Sequence, residues 1–151
     1  MKNSMFGYLK ENMDRRTMRK FIYHGSDPDP VRALARFFDH NGVFGCDVET
    51  VSLEDRTPLG AAFAINPSES IYFPIDSPLF PWGLLRHPGK EIIFHNAGFD
   101  VQVLEDWSDE PVTGVGDSCL LAMLLGFPGR LAQIVEILYG REPRLITDLI
   151  G

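Results

Sequence analysis

The order of strand-like and helical patterns constrains the fold more than any other feature of the sequence. Three strand-like runs follow one another at residues 43–48, 59–65 and 70–75, and turn-forming residues at 66–69 separate the last two. From residue 91 onwards, two shorter strand-like runs alternate with helical patterns. Successive strands form an antiparallel meander, whereas strands that alternate with helices favour parallel pairing. We therefore predict an α/β fold with a mixed five-stranded sheet and helices on both faces.

The ends of the predicted elements are marked by residues that cap or break helices. Asp29 before Pro30 marks the start of a helix, and Asn41 before Gly42 marks its end. Asp117 marks the start of a strongly apolar helix. We expect helices at 31–38, 98–107, 117–125 and 131–139 and the two later strands at 91–94 and 112–115, while residues 21–23 have strand character outside the five.

Size and composition narrow the classes of protein to which the chain can belong. With 151 residues, of which 44% are hydrophobic, the chain fits one globular domain. No apolar run approaches the roughly 18 residues of a membrane span, and the start of the chain has no signal-peptide core. The two cysteines match neither a disulfide scaffold nor a zinc site. We therefore expect a cytoplasmic protein with no membrane partner.

Charge is distributed unevenly along the chain. The net charge is −7, yet residues 1–20 carry six basic and two acidic side chains. An acidic protein lacks the basic surface that usually meets nucleic acid, unless its carboxylates hold divalent cations that reverse the local field. We predict a basic N-terminal extension over residues 1–30 and a single folded domain over residues 31–151.

Two carboxylates lie near the end of the first of these strands. Asp47 and Glu49 are separated by one residue, so alternation along a strand points both to the same face. Two like charges so close repel unless a cation neutralises them. Carboxylate oxygens are the ligands of hard cations such as Mg²⁺ or Mn²⁺. The pair therefore predicts either a metal site or two solvated acids at a strand end.

A third acid follows the predicted strand at 91–94. Asn96 is placed to cap the next helix, and Asp100 lies in the first turns of that helix. Open α/β sheets place ligands at the carboxyl ends of their strands. If the strand at 91–94 pairs in parallel with the strand of Asp47, then Asp100 lies beside Asp47. The alternative is an acid that only complements the helix dipole.

Together, these motifs resemble the 3′–5′ proofreading exonuclease domain of bacterial and phage family A DNA polymerases, which is part of the DEDD exonuclease superfamily. The resemblance covers residues 31–151 in unbroken order and implies a ribonuclease H-like fold. The resembling segments are the first exonuclease motif at 44–53, the strands after it at 58–65 and 71–75, the second motif at 95–104, the next helix at 116–125, and the tail at 129–140 and 146–151.

The resemblance implies two-metal-ion hydrolysis of a phosphodiester, in which two Mg²⁺ or Mn²⁺ ions hold the attacking and leaving oxygens in line. By resemblance, Asp47 serves both ions, Glu49 serves the ion that carries the nucleophile, and Asp100 serves the second ion. The implied substrate is the 3′ end of single-stranded DNA.

Four further residues match positions near the terminal nucleotides in the family. An apolar wedge and an aromatic face suit a frayed strand end, because base stacking tolerates any sequence. The alternative for Leu53 and Phe99 is ordinary core packing. The implied substrate-binding residues are Thr50, Leu53, Asn96 and Phe99.

The third motif of the family, a Tyr followed four residues later by an Asp, has no counterpart in the 151 residues. Tyr139 does not substitute, because no Asp follows it in register. We therefore expect weak activity from this chain alone, with the motif supplied by a polymerase domain or by a partner chain. We expect the chain either to self-associate or to pair with a chain that supplies the motif.

Two other functions are compatible with the same residues. One is a catalytically inactive nuclease fold that binds DNA or a protein partner. The other is an RNA-processing exonuclease of the same superfamily, since carboxylates do not distinguish the sugar of a substrate.

Overall fold

The structure is a computed structural model, and it describes residues 20–141. No helix in this part of the chain is long and apolar enough to cross a membrane. The strands are β1 (Ile22–His24), β2 (Phe44–Thr50), β3 (Pro58–Asn66), β4 (Glu69–Pro74), β5 (Ile92–Phe94) and β6 (Val115–Asp117), and the helices are α1 (Pro30–Asp39), α2 (Trp82–Leu85), α3 (Ala97–Ser108), α4 (Ser118–Leu124) and α5 (Leu131–Tyr139).

The strands form one mixed sheet in the order β1-β4-β3-β2-β5-β6. The neighbouring pairs β1–β4, β4–β3 and β3–β2 are antiparallel, and the pairs β2–β5 and β5–β6 are parallel. The predicted α/β fold with a mixed sheet is confirmed, but the described sheet has six strands where five were predicted. The additional strand is β1, which pairs with the edge of β4 through Ile22 and Tyr72. The sequence indicated strand character at residues 21–23, but no local pattern showed that this segment joins the sheet, because its partner β4 lies about 50 residues further along the chain.

The pairing register assigns different residues to the two faces of the sheet. Asp47 lies opposite Ala62, and Glu49 lies opposite Gly60, so these four residues share one face. The intervening positions of β2 point to the other face, because side chains alternate along a strand. That other face packs against α1, where the ring of Phe37 lies 5.4 Å from the ring of Phe44.

A cluster of aromatic rings holds the central strands in place. Phe37, Phe44, Phe63 and Phe73 are all fully buried, and the rings of Phe37 and Phe63 meet edge to face at 5.7 Å. Each buried Phe contributes about 1.5–3 kcal/mol of stability by leaving water. The packed face therefore fixes the backbone of β2, and with it the positions of the two acids on the opposite face.

The predicted helix starts and the hairpin turn agree with the structure, whereas the bounds of the last strand do not. Asp29 caps α1 by accepting hydrogen bonds from the backbone N–H groups of Val31 and Arg32. The last strand is present, but its predicted bounds of 112–115 are wrong, because β6 runs from Val115 to Asp117. Gly114 has a φ of +68°, a left-handed conformation that interrupts an extended chain just before this point.

Candidate active site

Asp47 and Glu49 project from the open face of β2. Both are exposed, while Val48 between them is buried on the packed face, so the prediction that the two acids share a face is confirmed. Their neighbours across the ladder are Ala62 and Gly60. The side chain of Ala62 is a single methyl group, and the hydroxyl of Tyr72 lies over Gly60.

Asp100 lies directly beside these two acids. It belongs to the first turn of α3, it is only 5% exposed, and its Oδ1 accepts a 2.9 Å hydrogen bond from the backbone N–H of Val48. That amide belongs to the residue between Asp47 and Glu49. Parallel pairing of β5 with β2 thus brings the second predicted motif against the first.

Protein surroundings disfavour the charged form of all three acids. Burial raises the pKa of Asp100 to about 6; the Val48 amide opposes this shift, and the charge of Asp47 adds to it. Partial burial of the carboxylate raises the pKa of Asp47, and His95 offsets part of this rise. Burial and then the charge of Asp47 raise the pKa of Glu49. A cation among these groups would relieve both the burial cost and the repulsion.

The chemistry of these donors fits a hard divalent cation, since all three side chains offer carboxylate oxygens. Within residues 20–141, however, no group of three or more acidic, His or Cys side chains is arranged to hold a metal ion. The Asp100 carboxylate points towards the Val48 amide, whereas Asp47 and Glu49 are exposed. Their side chains can turn towards an ion without disturbing the core.

The start of α3 is capped differently from the prediction. Asn96 occupies the capping position with a φ of 70°, but its side chain makes no capping hydrogen bond. Instead, the carboxylate of Asp117 accepts hydrogen bonds from the backbone N–H groups of Asn96 and Ala97, at 3.1 and 2.9 Å. Asn96 therefore occupies the predicted capping position, but Asp117 accepts the hydrogen bonds that an Asn96 cap was expected to accept.

Asp117 also caps α4, as predicted, by accepting from the N–H groups of Cys119 and Leu120. Burial works to raise the pKa of Asp117, but the backbone donors outweigh it and hold the pKa below its usual value. One carboxylate thus fixes the starts of α3, which carries Asp100, and α4.

His95 joins the end of β5 to the segment between α4 and α5. One ring nitrogen lies 3.0 Å from Ser118 Oγ, and the other lies 2.8 Å from the carbonyl oxygen of Gly129. An open groove of about 360 Å³ lies at this junction. Asp47, His95, Ser118 and Leu131 are among the residues that line it.

The other predicted substrate-binding residues, Thr50, Leu53 and Phe99, differ in their exposure and contacts. Thr50 ends β2, and its hydroxyl donates a 2.9 Å hydrogen bond to the carbonyl of Ser52. Leu53 is 76% exposed, so core packing does not explain it. Phe99 is half-buried and packs against the core cluster, with the guanidinium of Arg56 over its ring.

Sequence reasoning did not single out Arg56 and Tyr72. The hydroxyl of Tyr72 lies over Gly60, where an added Cβ would be 2.4 Å away, and burial followed by the charge of Glu49 raises the pKa of Tyr72. The Arg56 guanidinium carbon lies 5.3 Å from the centroid of the Phe99 ring. Alternation along β4 could have placed Tyr72 on the face of Glu49, but no local pattern identifies Arg56.

Several solved structures are similar to this fold. Brucella melitensis NrnC has 18% identity and a TM-score of 0.61, and the match covers 68% of this chain and 54% of the NrnC chain. The catalytic core of RRP6 from Trypanosoma brucei has 13% identity and a TM-score of 0.62, covering 80% and 35%. RNase D from Escherichia coli has 20% identity and a TM-score of 0.57, covering 77% and 33%. These likenesses establish a ribonuclease H-like nuclease fold.

The chain spans about half the length of the NrnC structure that it matches. No match was found among curated proteins. A family model described as "3'-5' exonuclease" matches residues 26–148, a stretch that contains Asp47, Glu49 and Asp100. The chain therefore belongs to the 3′–5′ exonuclease family.

Proposed function

We propose that this domain removes nucleotides from the 3′ end of single-stranded DNA by metal-dependent hydrolysis, with Asp47, Glu49 and Asp100 as the metal ligands. The observation that carries the proposal is the position of Asp100. Its buried carboxylate is held against the backbone amide between the other two acids. A buried acid at this point, with its pKa raised to about 6, costs stability, and this cost favours a functional role.

Bound Mg²⁺ or Mn²⁺ would activate water and stabilise the leaving oxygen. One structure of NrnC contains bound Mg²⁺, which supports this choice of ion. The protein's part is to hold the acids: the packed core fixes β2, and the Val48 amide orients Asp100. Asp117 fixes the first turn of the helix that carries Asp100.

The 3′ end of the nucleic acid would contact the apolar and polar groups around these acids. Leu53 is exposed beyond the end of β2, where it would pack against the terminal base without regard to sequence. Phe99 lies in the turn that contains Asp100, and because the Arg56 guanidinium covers one face of its ring, it would contact the nucleotide with the remainder of the ring. Asn96 and Thr50 would contribute polar contacts to the terminal sugar or phosphate.

We also propose that a helix carrying the family's Tyr and Asp motif completes the site. It would belong to a polymerase domain in a longer protein or to a partner chain. The groove beside Asp47 supports this, since its lining residues Gly45, Ala62 and Ala64 are small enough for a helix to approach closely. Helices α4 and α5 also carry exposed apolar side chains. A second copy of this chain could cover that surface in place of a different partner chain.

RNA is the second candidate substrate. NrnC has been solved bound to pGG, and RNase D is described as an exoribonuclease involved in structured RNA processing. These likenesses support a ribonucleotide substrate as a direct alternative to DNA. The site acids make no distinction between the two sugars.

A direct test uses single-stranded DNA and RNA of identical sequence, labelled at the 5′ end and incubated with excess protein and Mn²⁺. We expect a slow ladder of products, each shortened by one nucleotide from the 3′ end, with DNA degraded faster. Faster degradation of RNA would favour the second candidate. Internal fragments, or no shortening of either strand, would contradict exonuclease function.

A further inference from the structure

We propose that Arg56 binds a backbone phosphate of the substrate strand at the rim of the candidate active site, with Phe99 holding its guanidinium in place. The inference rests on the proposed nuclease function and adds a phosphate-positioning residue to it. The exonuclease resemblance does not assign a role to Arg56.

Arg56 lies in the loop between β2 and β3 and contacts the start of α3. Its Nη1 donates a 2.9 Å hydrogen bond to Oε1 of Gln102, and its guanidinium carbon lies 5.3 Å from the centroid of the Phe99 ring. Phe99 and Gln102 flank Asp100 on the same helix. The guanidinium is therefore held one helical turn or less from the buried acid of the site.

The charge of Arg56 has no acidic partner among residues 20–141, whereas three other described arginines are paired. Arg32 and Arg36 form ion pairs with acids near α1, and Arg86 pairs with Glu110. The hydrogen-bond partner of Arg56 is the neutral Gln102. A guanidinium has five N–H donors, so most of its donors remain available to an anion.

The loop around Arg56 is ordered by its own hydrogen bonds. The Val51 amide donates to the Thr57 carbonyl at 3.1 Å, and the Ser52 amide donates to the Asp55 carbonyl at 3.0 Å. The Asp55 carboxylate accepts from the Thr57 amide, and the Glu54 carboxylate accepts from Ser52 Oγ. The loop acids are thus bonded within the loop, and the loop presents Arg56 with little ordering left to occur on binding.

Phosphate is the anion that fits this position. A planar guanidinium matches phosphate oxygens with two parallel hydrogen bonds, and stacking on an aromatic ring fixes its plane. The protein carries a net charge of −7, so a polyanionic strand needs a local cation near the acids. Arg56 would hold an internucleotide phosphate while the terminal nucleotide reaches the acids.

The test compares Arg56→Gln with Arg86→Gln, a matched control. The Arg86 guanidinium also stacks on an aromatic ring, lying 5.1 Å from the Trp82 centroid, but it is paired with Glu110. Both substitutions are made in the Asp47→Asn background, so that the strand is not cleaved. Fluorescence anisotropy then gives the affinity for a labelled single-stranded oligonucleotide at several salt concentrations.

We expect Arg56→Gln to weaken binding about tenfold and to reduce the slope of log affinity against log salt by about 0.7, the value for one phosphate of a single strand. Arg86→Gln should change neither quantity. Arg56→Lys keeps the positive charge, so the slope of log affinity against log salt should not change. The affinity itself should fall in part, because a lysine cannot form the two parallel hydrogen bonds of a guanidinium. Replacing one phosphate near the 3′ end by a neutral methylphosphonate should lower the affinity of the protein that retains Arg56. The same replacement should leave the affinity of the Arg56→Gln protein unchanged.

Unchanged affinity and salt slope in Arg56→Gln would overturn the inference, as would methylphosphonates that weaken both proteins equally. If Arg56→Gln binds normally while the protein with Asp47 intact still cleaves, the inference fails and the proposed function stands. If the unsubstituted protein neither binds nor cleaves a strand, both fail.

Discussion

Replacing Asp47 by Asn should lower kcat/KM for 3′-end hydrolysis by on the order of 10³-fold or more. Asp47 is the acid whose charge acts on both Glu49 and Asp100, which places it at the centre of the site. Losing the metal ligand that we propose at Asp47 would remove several kcal/mol of transition-state stabilisation, and each 1.4 kcal/mol is about tenfold in rate. The measurement is the initial rate on a labelled strand with saturating Mn²⁺.

Asp39→Asn is the matched control for this substitution. Asp39 is an exposed acid at the end of α1, the helix that packs against the other face of the sheet, so its loss changes the net charge equally without touching the site. Its rate should match that of the unsubstituted protein. A similar rate for Asp47→Asn and Asp39→Asn would mean that the cleavage does not depend on the Asp47 site.

Replacing Asp100 by Asn should stabilise the metal-free protein at neutral pH, by about 3 kcal/mol at most. Burial raises the pKa of Asp100 in the folded state to about 6, from a usual value of 3.8. The folded state therefore holds the proton more tightly than the unfolded chain does, and the stability from Asp100 falls as pH rises between these values. Asn stays neutral and can still accept the hydrogen bond from Val48, and each pKa unit corresponds to about 1.4 kcal/mol.

Urea unfolding at pH 4, 5, 6 and 7.5 in the presence of a chelator measures this effect. The difference in free energy of unfolding between Asp100→Asn and the unsubstituted protein should be small at pH 4 and largest above pH 6. Asp117→Asn is the control of opposite sign, because backbone donors stabilise the charged form of Asp117. The account of Asp100 is wrong if Asp100→Asn is less stable at pH 7.5 or if the difference does not vary with pH.

The acids of the site could be predicted because they follow from short-range rules. Alternation along a strand places Asp47 and Glu49 on one face, and the burial pattern of β2 agrees. The preference for parallel pairing between strands that alternate with helices places the turn of Asp100 beside them, and the β2–β5 register agrees. Periodicity and topology thus suffice for the backbone framework of the site.

The contacts that complete the framework join residues far apart in sequence. Asp117, not Asn96, satisfies the N–H groups at the start of α3, and local capping rules cannot detect a carboxylate from the next strand. The stacking of Arg56 on Phe99 depends on how a loop folds back over a helix. Side-chain contacts of this kind depend on packing, which the sequence pattern does not describe.

The most direct test of the central claim is where Mn²⁺ binds, measured by paramagnetic broadening of backbone amide signals in NMR spectra. The account predicts that low concentrations of Mn²⁺ broaden the amides of residues 47–50 and 96–100 together, and that Asp47→Asn removes this effect. Broadening confined to the acids Glu105, Asp106, Asp109 and Glu110 near the end of α3, or unchanged by Asp47→Asn, would contradict a metal site built on Asp47, Glu49 and Asp100.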